Sequence, residues 1–199
     1  MKKRLTLVLA LVCLLAILAG CTSAAPQIAP MPLSASQQEI VDLISRAHQE
    51  ILLFEYTLGG AFHEMEVWLE VYHYGELQET FLTMHMLDGQ IQDGQLAIVM
   101  QGQWNNELQW TISTVAANEG ASTTGPTWVA DSAHEPMSRV FGMIQEPVSI
   151  ESGQEIILYV SKLATSYELI HRFDLQHYLE HPEDFAAYTY VHLIKTRFS

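Results

Sequence analysis

The sequence predicts a mainly β protein, a single antiparallel two-layer β-sandwich, and three observations carry that expectation. Short runs of alternating apolar and polar residues recur at hairpin spacing from Ile51 to Phe198. Turn signals separate them, among them Gly59-Gly60, Gly75-Glu76, Asp88-Gly89 and Asp93-Gly94. No internal repeat or second compositional region appears, and 199 residues suffice for one compact domain with its own core. An immunoglobulin-like strand order is the first expectation and a jelly roll the second. The Cys…Trp…Cys signature of immunoglobulin domains is absent, so the label describes architecture only.

Taken in order, Ser36-Gln37-Gln38-Glu39 has the form of a capping box, followed by Ile40, Leu43, Ile44 and Ala47 at helical spacing. This predicts a short N-terminal helix over 37–48, then a strand over 51–56. Residues 63–74 alternate, with Met65, Val67, Leu69 and Val71 on one face and Glu66, Trp68, Glu70 and Tyr72 on the other. Gly75-Glu76 suits a type II′ hairpin turn. Pairing Tyr74 with Leu77 then sets Met65 against Met86, Val67 against Met84 and Leu69 against Leu82. The opposite face pairs Glu66 with His85, Trp68 with Thr83 and Glu70 with Phe81.

Strands are expected at 95–102 and 107–115 around a three-residue loop, which pairs Met100 with Trp110 and Ile98 with Ile112. Residues 116–139 read as a long Gly/Ser/Thr-rich loop broken by Pro126 and Pro136. Strands resume near 145–151 and at 155–163. A short helix near 174–181 is capped by Asp174 and ends before Pro182. A last alternating strand covers 187–198.

The chain carries 9 Lys+Arg against 23 Asp+Glu. Lys2, Lys3 and Arg4 precede an apolar run from Leu5 to Ala19, short for a membrane span and right for a signal peptide. The run ends Leu18-Ala19-Gly20-Cys21, which resembles the lipobox of bacterial lipoproteins. That resemblance implies removal of residues 1–20 and acylation of Cys21, with palmitate or a similar chain on its sulfur. Two or more acyl chains give stable membrane anchoring. Residues 21–35, with Pro26, Pro30 and Pro32, then form a flexible tether, and 36–199 form the domain. Removing the signal takes three of the nine basic residues and none of the 23 acidic ones, so the charge becomes −17. A charge of that sign excludes non-specific nucleic-acid binding. The whole resembles small exported β-sandwich lipoproteins of Gram-positive bacteria.

The familiar nucleophile, phosphate-loop and dinucleotide motifs are missing, and His63-Glu64 lacks the spacing of a zinc-protease helix. A non-enzymatic role is therefore expected, with no cofactor beyond the lipid. Candidate binding residues fall into two groups. Trp68, Tyr72 and Phe81, interleaved with carboxylates, suit a carbohydrate or protein partner unless another segment covers them. Trp128, Asp131, His134, Glu135 and Arg139 belong to the long loop, where sites concentrate. Metal is the weaker reading. His177 and His181 stand four apart beside carboxylates, and His63, Met65, Met84 and Met86 share a face that core packing also explains. The sequence points to a lipid-anchored binding or accessory module of the bacterial cell envelope, facing outside the cytoplasm. The alternative is an envelope enzyme or metal-binding protein using the loop or the 174–184 segment.

Overall fold

The computed structural model describes residues 25–45, 49–60, 62–87, 91–102, 107–116, 119–125, 127–129, 138–164 and 181–199. Cys21, Asp131, His134, Glu135, Asp174 and His177 lie outside the described residues. Two antiparallel sheets pack face to face, and the expected sandwich is the architecture found. The first sheet contains β1 (Gln27–Pro30), β2 (Gln49–Thr57), β5 (Gly94–Gly102), β6 (Glu107–Ala116), β7 (Glu119–Thr124), β8 (Trp128–Val129) and β10 (Val148–Ser149). Its order is β10-β1-β2-β5-β6-β7, with β8 also paired to β6. The second, ordered β4-β3-β12-β11-β9, contains β3 (Met65–His73), β4 (Glu76–Met86), β9 (Ser138–Met143), β11 (Glu155–Ala164) and β12 (Tyr190–Phe198). This seven-plus-five order is not the four-plus-three order of an immunoglobulin domain.

Several expectations hold. The β5–β6 register pairs Ile98 with Ile112 and Met100 with Trp110. Met65, Met84 and Met86 are buried with Val67, Leu69 and Ile98 in one core, which is the packing reading of the methionine face. Others are corrected. Gln27–Pro30, expected within a flexible tether, is a strand between β2 and β10, and Ile28 is fully buried. Four residues are too few to show alternation, so an uncharged Pro/Ala/Gln stretch reads as linker. The helix, α1, spans Ala35–Ser45. Its capping box is Ser34 with Gln37: the Ser34 amide donates to Gln37 Oε1 at 2.9 Å, and the Gln37 amide donates back to Ser34 Oγ. Its apolar stripe is not buried, and Leu43 is 68% exposed.

The hairpin turn is one residue earlier than expected. Tyr74 (φ 47°) and Gly75 (φ 83°) occupy its two central positions, a type I′ pattern flanked by His73 and Glu76. Two register shifts on β4 absorb the offset, so Met65–Met86, Glu66–His85 and Val67–Met84 pair as expected while Leu69 meets Phe81. The 116–139 stretch is not one loop. Its Ser122, Thr123 and Thr124 lie in β7, where Thr124 and Thr111 hydroxyls pair at 3.1 Å and Ser122 and Ser113 at 2.9 Å. Gly125 then passes so close to the Trp110 indole that a Cβ there would lie 2.2 Å from Nε1. Of the strand expected near 145–151, only the two residues of β10 are found, and β9 ends before it at Met143. A 3-10 helix, Pro182–Ala187, leads into β12 and sets Phe185 over the outer face of the second sheet. No described helix is long and apolar enough to cross a membrane.

Candidate functional site

The outer face of the second sheet carries Trp68 and Tyr72, but as a closed arrangement. Glu70 between them accepts from Trp68 Nε1 at 3.0 Å, Tyr72 OH at 2.7 Å and Lys195 Nζ at 2.8 Å. Burial pushes the Glu70 carboxyl up, yet these three donors outweigh it and hold it below its ordinary value. Burial and the Glu70 carboxylate together raise Tyr72 above a normal phenol. Trp68 is only 7% exposed, with the Arg197 guanidinium 5.7 Å from its ring, and Phe185 packs edge-on against Tyr72. The segments that cover this patch are β12 and the 3-10 helix. Phe81 has left this face altogether; the β4 register shift turns it inward against Trp110, at 5.3 Å.

Beside this patch, one ligand atom each from Glu64, Glu66 and His85 lies within 4.8 Å of the others, a spacing a metal could use. The carboxylates are already engaged. Glu64 pairs with His85 and accepts from Ser199 Oγ at 2.7 Å, and the Ser199 and His85 bonds lower its pKa. Arg197 Nε donates to Glu66 at 2.9 Å. His181, the described member of the other metal pair, is exposed and pairs with Glu183 at 3.1 Å.

The second cluster is internal. A register shift at Leu158 brings consecutive residues Leu158 and Tyr159 onto the inner face of β11, and Ser161 follows two residues on. Across the strand pair, Ser161 meets His192. From the edge strand β9, Arg139 donates through Nε to Ser161 Oγ at 2.8 Å and through one terminal nitrogen to Tyr159 OH at 3.0 Å. The same guanidinium pairs with Glu50 of the facing sheet at 3.1 Å, and Tyr159 OH donates to that carboxylate. Burial raises the Tyr159 phenol well above its usual range. From β8, Trp128 stands at 74° to both the His192 ring (4.5 Å) and the Tyr190 ring (4.9 Å).

His192 is the unusual member. It is 2% exposed, and neither ring nitrogen has a hydrogen-bond partner among the described residues. Burial, with Arg139 nearby, pushes its pKa down to about 3, so the ring is neutral. Of the loop candidates, the structure brings Trp128 and Arg139 together around this ring. Glu50, Tyr159, Ser161 and His192 escape sequence reading because each looks like an isolated polar residue on a strand. The available signal was Ser161 and His192 at apolar-strand positions, which a straight alternation leaves ambiguous.

The fold and this cluster define a β-sandwich domain with a partly buried, hydrogen-bonded polar group bridging its sheets at one end. The YgaN domain family model matches residues 27–194, most of the chain, and the protein belongs to that family. The match begins at the first residue of β1. No curated protein and no solved structure matches the chain.

Proposed function

We infer that this protein is a lipid-anchored, extracytoplasmic binding or accessory module of the cell envelope, non-enzymatic, with the Trp128–Arg139–His192 end as its binding region. One observation carries the reading: the chain enters the domain at the opposite end from that cluster. Gln27, six residues after Cys21, pairs with Thr57, whereas Glu50 lies seven residues back along β2, about 23 Å away at roughly 3.3 Å per residue. An acylated Cys21 would therefore hold the near end at the bilayer and present the polar end to a carbohydrate or protein partner. The domain's acidity acts in the same direction, since anionic headgroups repel it.

Metabolic labelling with an acyl-chain analogue tests the anchor. Label is expected on the wild type and absent from Cys21→Ser; equal labelling of both would remove the anchoring half of the reading. A glycan and peptide array probed with the full-length lipidated protein in micelles tests the other half. Binding should be lost in Trp128→Ala, weakened in Trp128→Phe and kept in Trp68→Phe. Loss only in the Trp68 variant would move the region to the outer face.

A further inference from the structure

We propose that the tip of the β3–β4 hairpin, with the adjoining 3-10 helix, docks a basic protein surface that brings an apolar side chain to Tyr74 and Leu77. The inference rests on the binding reading above and names the partner's chemistry. The tip adjoins the binding end: His73 stacks on Tyr190 at 4.7 Å, and Tyr190 meets Trp128 at 4.9 Å.

Tyr74 is out of place as a turn residue. Among the described residues it is the only non-glycine with positive φ, at 47°. The first central position of a type I′ turn favours Gly, Asn or Asp, and a bulky side chain there is strained. The Tyr74 ring leans on His73 at 4.6 Å yet stays 46% exposed, and Leu77 beside it is 52% exposed. Strain kept on an exposed aromatic side chain points to a task outside the fold. The tip is also held firmly. The Tyr74 amide donates to the Thr189 carbonyl at 3.2 Å, and a Cβ on Gly75 would lie 3.0 Å from the Ala186 nitrogen. The exposed Ala186 and Ala187 thus join Tyr74 and Leu77 in one surface.

Carboxylates rim this surface. Glu76, Glu79 and Glu183 are exposed, and Asp184 is half-buried. Lys162, the cation beneath this corner, is 3% exposed with Nζ 4.7 Å from the Tyr188 ring, out of a partner's reach. An apolar centre inside a charged rim is the anatomy of a protein interface. The rim sorts the occupants. A second copy brings the same acidic excess, and anionic headgroups or polyanionic glycans are repelled likewise. A neutral sugar could stack on Tyr74 but would gain little from Leu77 and leave the charges unmatched. A surface bearing Lys or Arg around an apolar residue matches both features.

The test uses the lipidated protein in phosphatidylcholine nanodiscs on a biosensor, with empty discs as reference. The probes are ten-residue peptides of alternating Lys-Leu, Lys-Ser and Glu-Leu. Lys-Leu is expected to bind about tenfold more tightly than either control, and to weaken severalfold from about 50 to about 300 mM salt. Leu77→Ser should cost about tenfold. Glu76→Gln with Glu79→Gln should cost about as much, while Glu55→Gln with Glu151→Gln, equal in charge but distant, should cost less than about twofold. Tyr74→Asn should weaken binding yet raise Tm, because Asn relieves the turn; a merely structural Tyr74 would not separate the two. Equal losses from the two carboxylate pairs would reduce the effect to net charge and overturn the inference. So would Lys-Ser binding as tightly as Lys-Leu, salt-independent binding, or no binding of Lys-Leu at all. A glycan found on the array and lost in Trp128→Ala would, in those cases, leave the binding reading standing without this partner.

Discussion

Two groups in this molecule have nearly the same composition and different neighbours. On the outer face, Glu70, Lys195, Tyr72 and Trp68 form a carboxylate–cation–phenol set within one sheet. Between the sheets, Glu50, Arg139 and Tyr159 form another, joining β2 to β9 and β11. In the outer set Glu70 receives three donors, and Lys195 also reaches Glu155 at 3.1 Å. The inner set is equally satisfied in itself, yet it abuts an imidazole that is not. Buried polar groups in folded proteins are paired almost without exception, so the contrast separates a set with satisfied surroundings from one beside an unsatisfied ring. It also assigns them different mechanical duties, since only the inner set ties one sheet to the other.

The sharpest break of that contrast is Arg139→Met. Removing one partner of a fully buried ion pair costs about 3–5 kcal/mol. The Arg139 side chain is 31% exposed and Glu50 19%, which puts the expected loss nearer 2–3 kcal/mol by the same rule. Urea unfolding measures it. Adding Glu50→Gln should recover part of the loss, because the stranded carboxylate is then gone, and a double-mutant cycle isolates the coupling. A loss smaller than that from the corresponding outer substitution would show that the inner set is not the tie between the sheets.

How far this was legible in the sequence depends on single residues. The sandwich, the β5–β6 register and the core methionines follow from alternation and turn length, which are local. The site turns on bulges, which are not. In a straight β11, Leu158 shares a face with Val160 and opposes Tyr159; the register shift puts Leu158 and Tyr159 inward together and sends Val160 out. One inserted residue thereby delivers Tyr159 and Ser161 to Arg139 and His192. The same device on β4 removes Phe81 from the outer patch where alternation had put it. Trp128 and Arg139 were legible as candidates because they flank a stretch rich in turn formers. Glu50 was not, since nothing in the sequence says that a strand from the other sheet passes above it.

Acid separates the two groups by pH window. His192 is held at about 3 in the folded protein, against about 6.5 for a free imidazole in the unfolded chain. Below pH 6.5 the unfolded chain takes up a proton that the folded one refuses, so stability falls as pH falls. The groups facing the ring reinforce this: Arg139 is cationic, and its Glu50 counterion is already engaged. Each pH unit is worth about 1.4 kcal/mol, giving roughly 2 kcal/mol between pH 6.5 and 5. His192→Phe should flatten that slope in urea titrations. A wild-type slope unchanged by the substitution would mean that the ring is protonated, or already partnered, in the folded state.

The outer set responds later and less. Lys195→Met removes one of three donors to Glu70 but leaves the Trp68 and Tyr72 bonds, so the carboxylate is not stranded. About 1.5 kcal/mol is the expected cost, the low end for a hydrogen bond to a charged group. Glu70 titrates below its unfolded value, so its contribution is present above about pH 4.5 and is lost as pH falls through the folded pKa. Without Lys195, burial has less opposition, and the Glu70 carboxyl should titrate at higher pH by carboxyl 13C chemical shift. Between pH 6.5 and 5 the Lys195 variant should keep the wild-type slope, because the His192 contribution there is unchanged. A shallower slope in that window would mean that Glu70, once deprived of its cation, takes up a proton while folded, which opposes the His192 effect, and the outer group would then be less self-sufficient than its three donors imply.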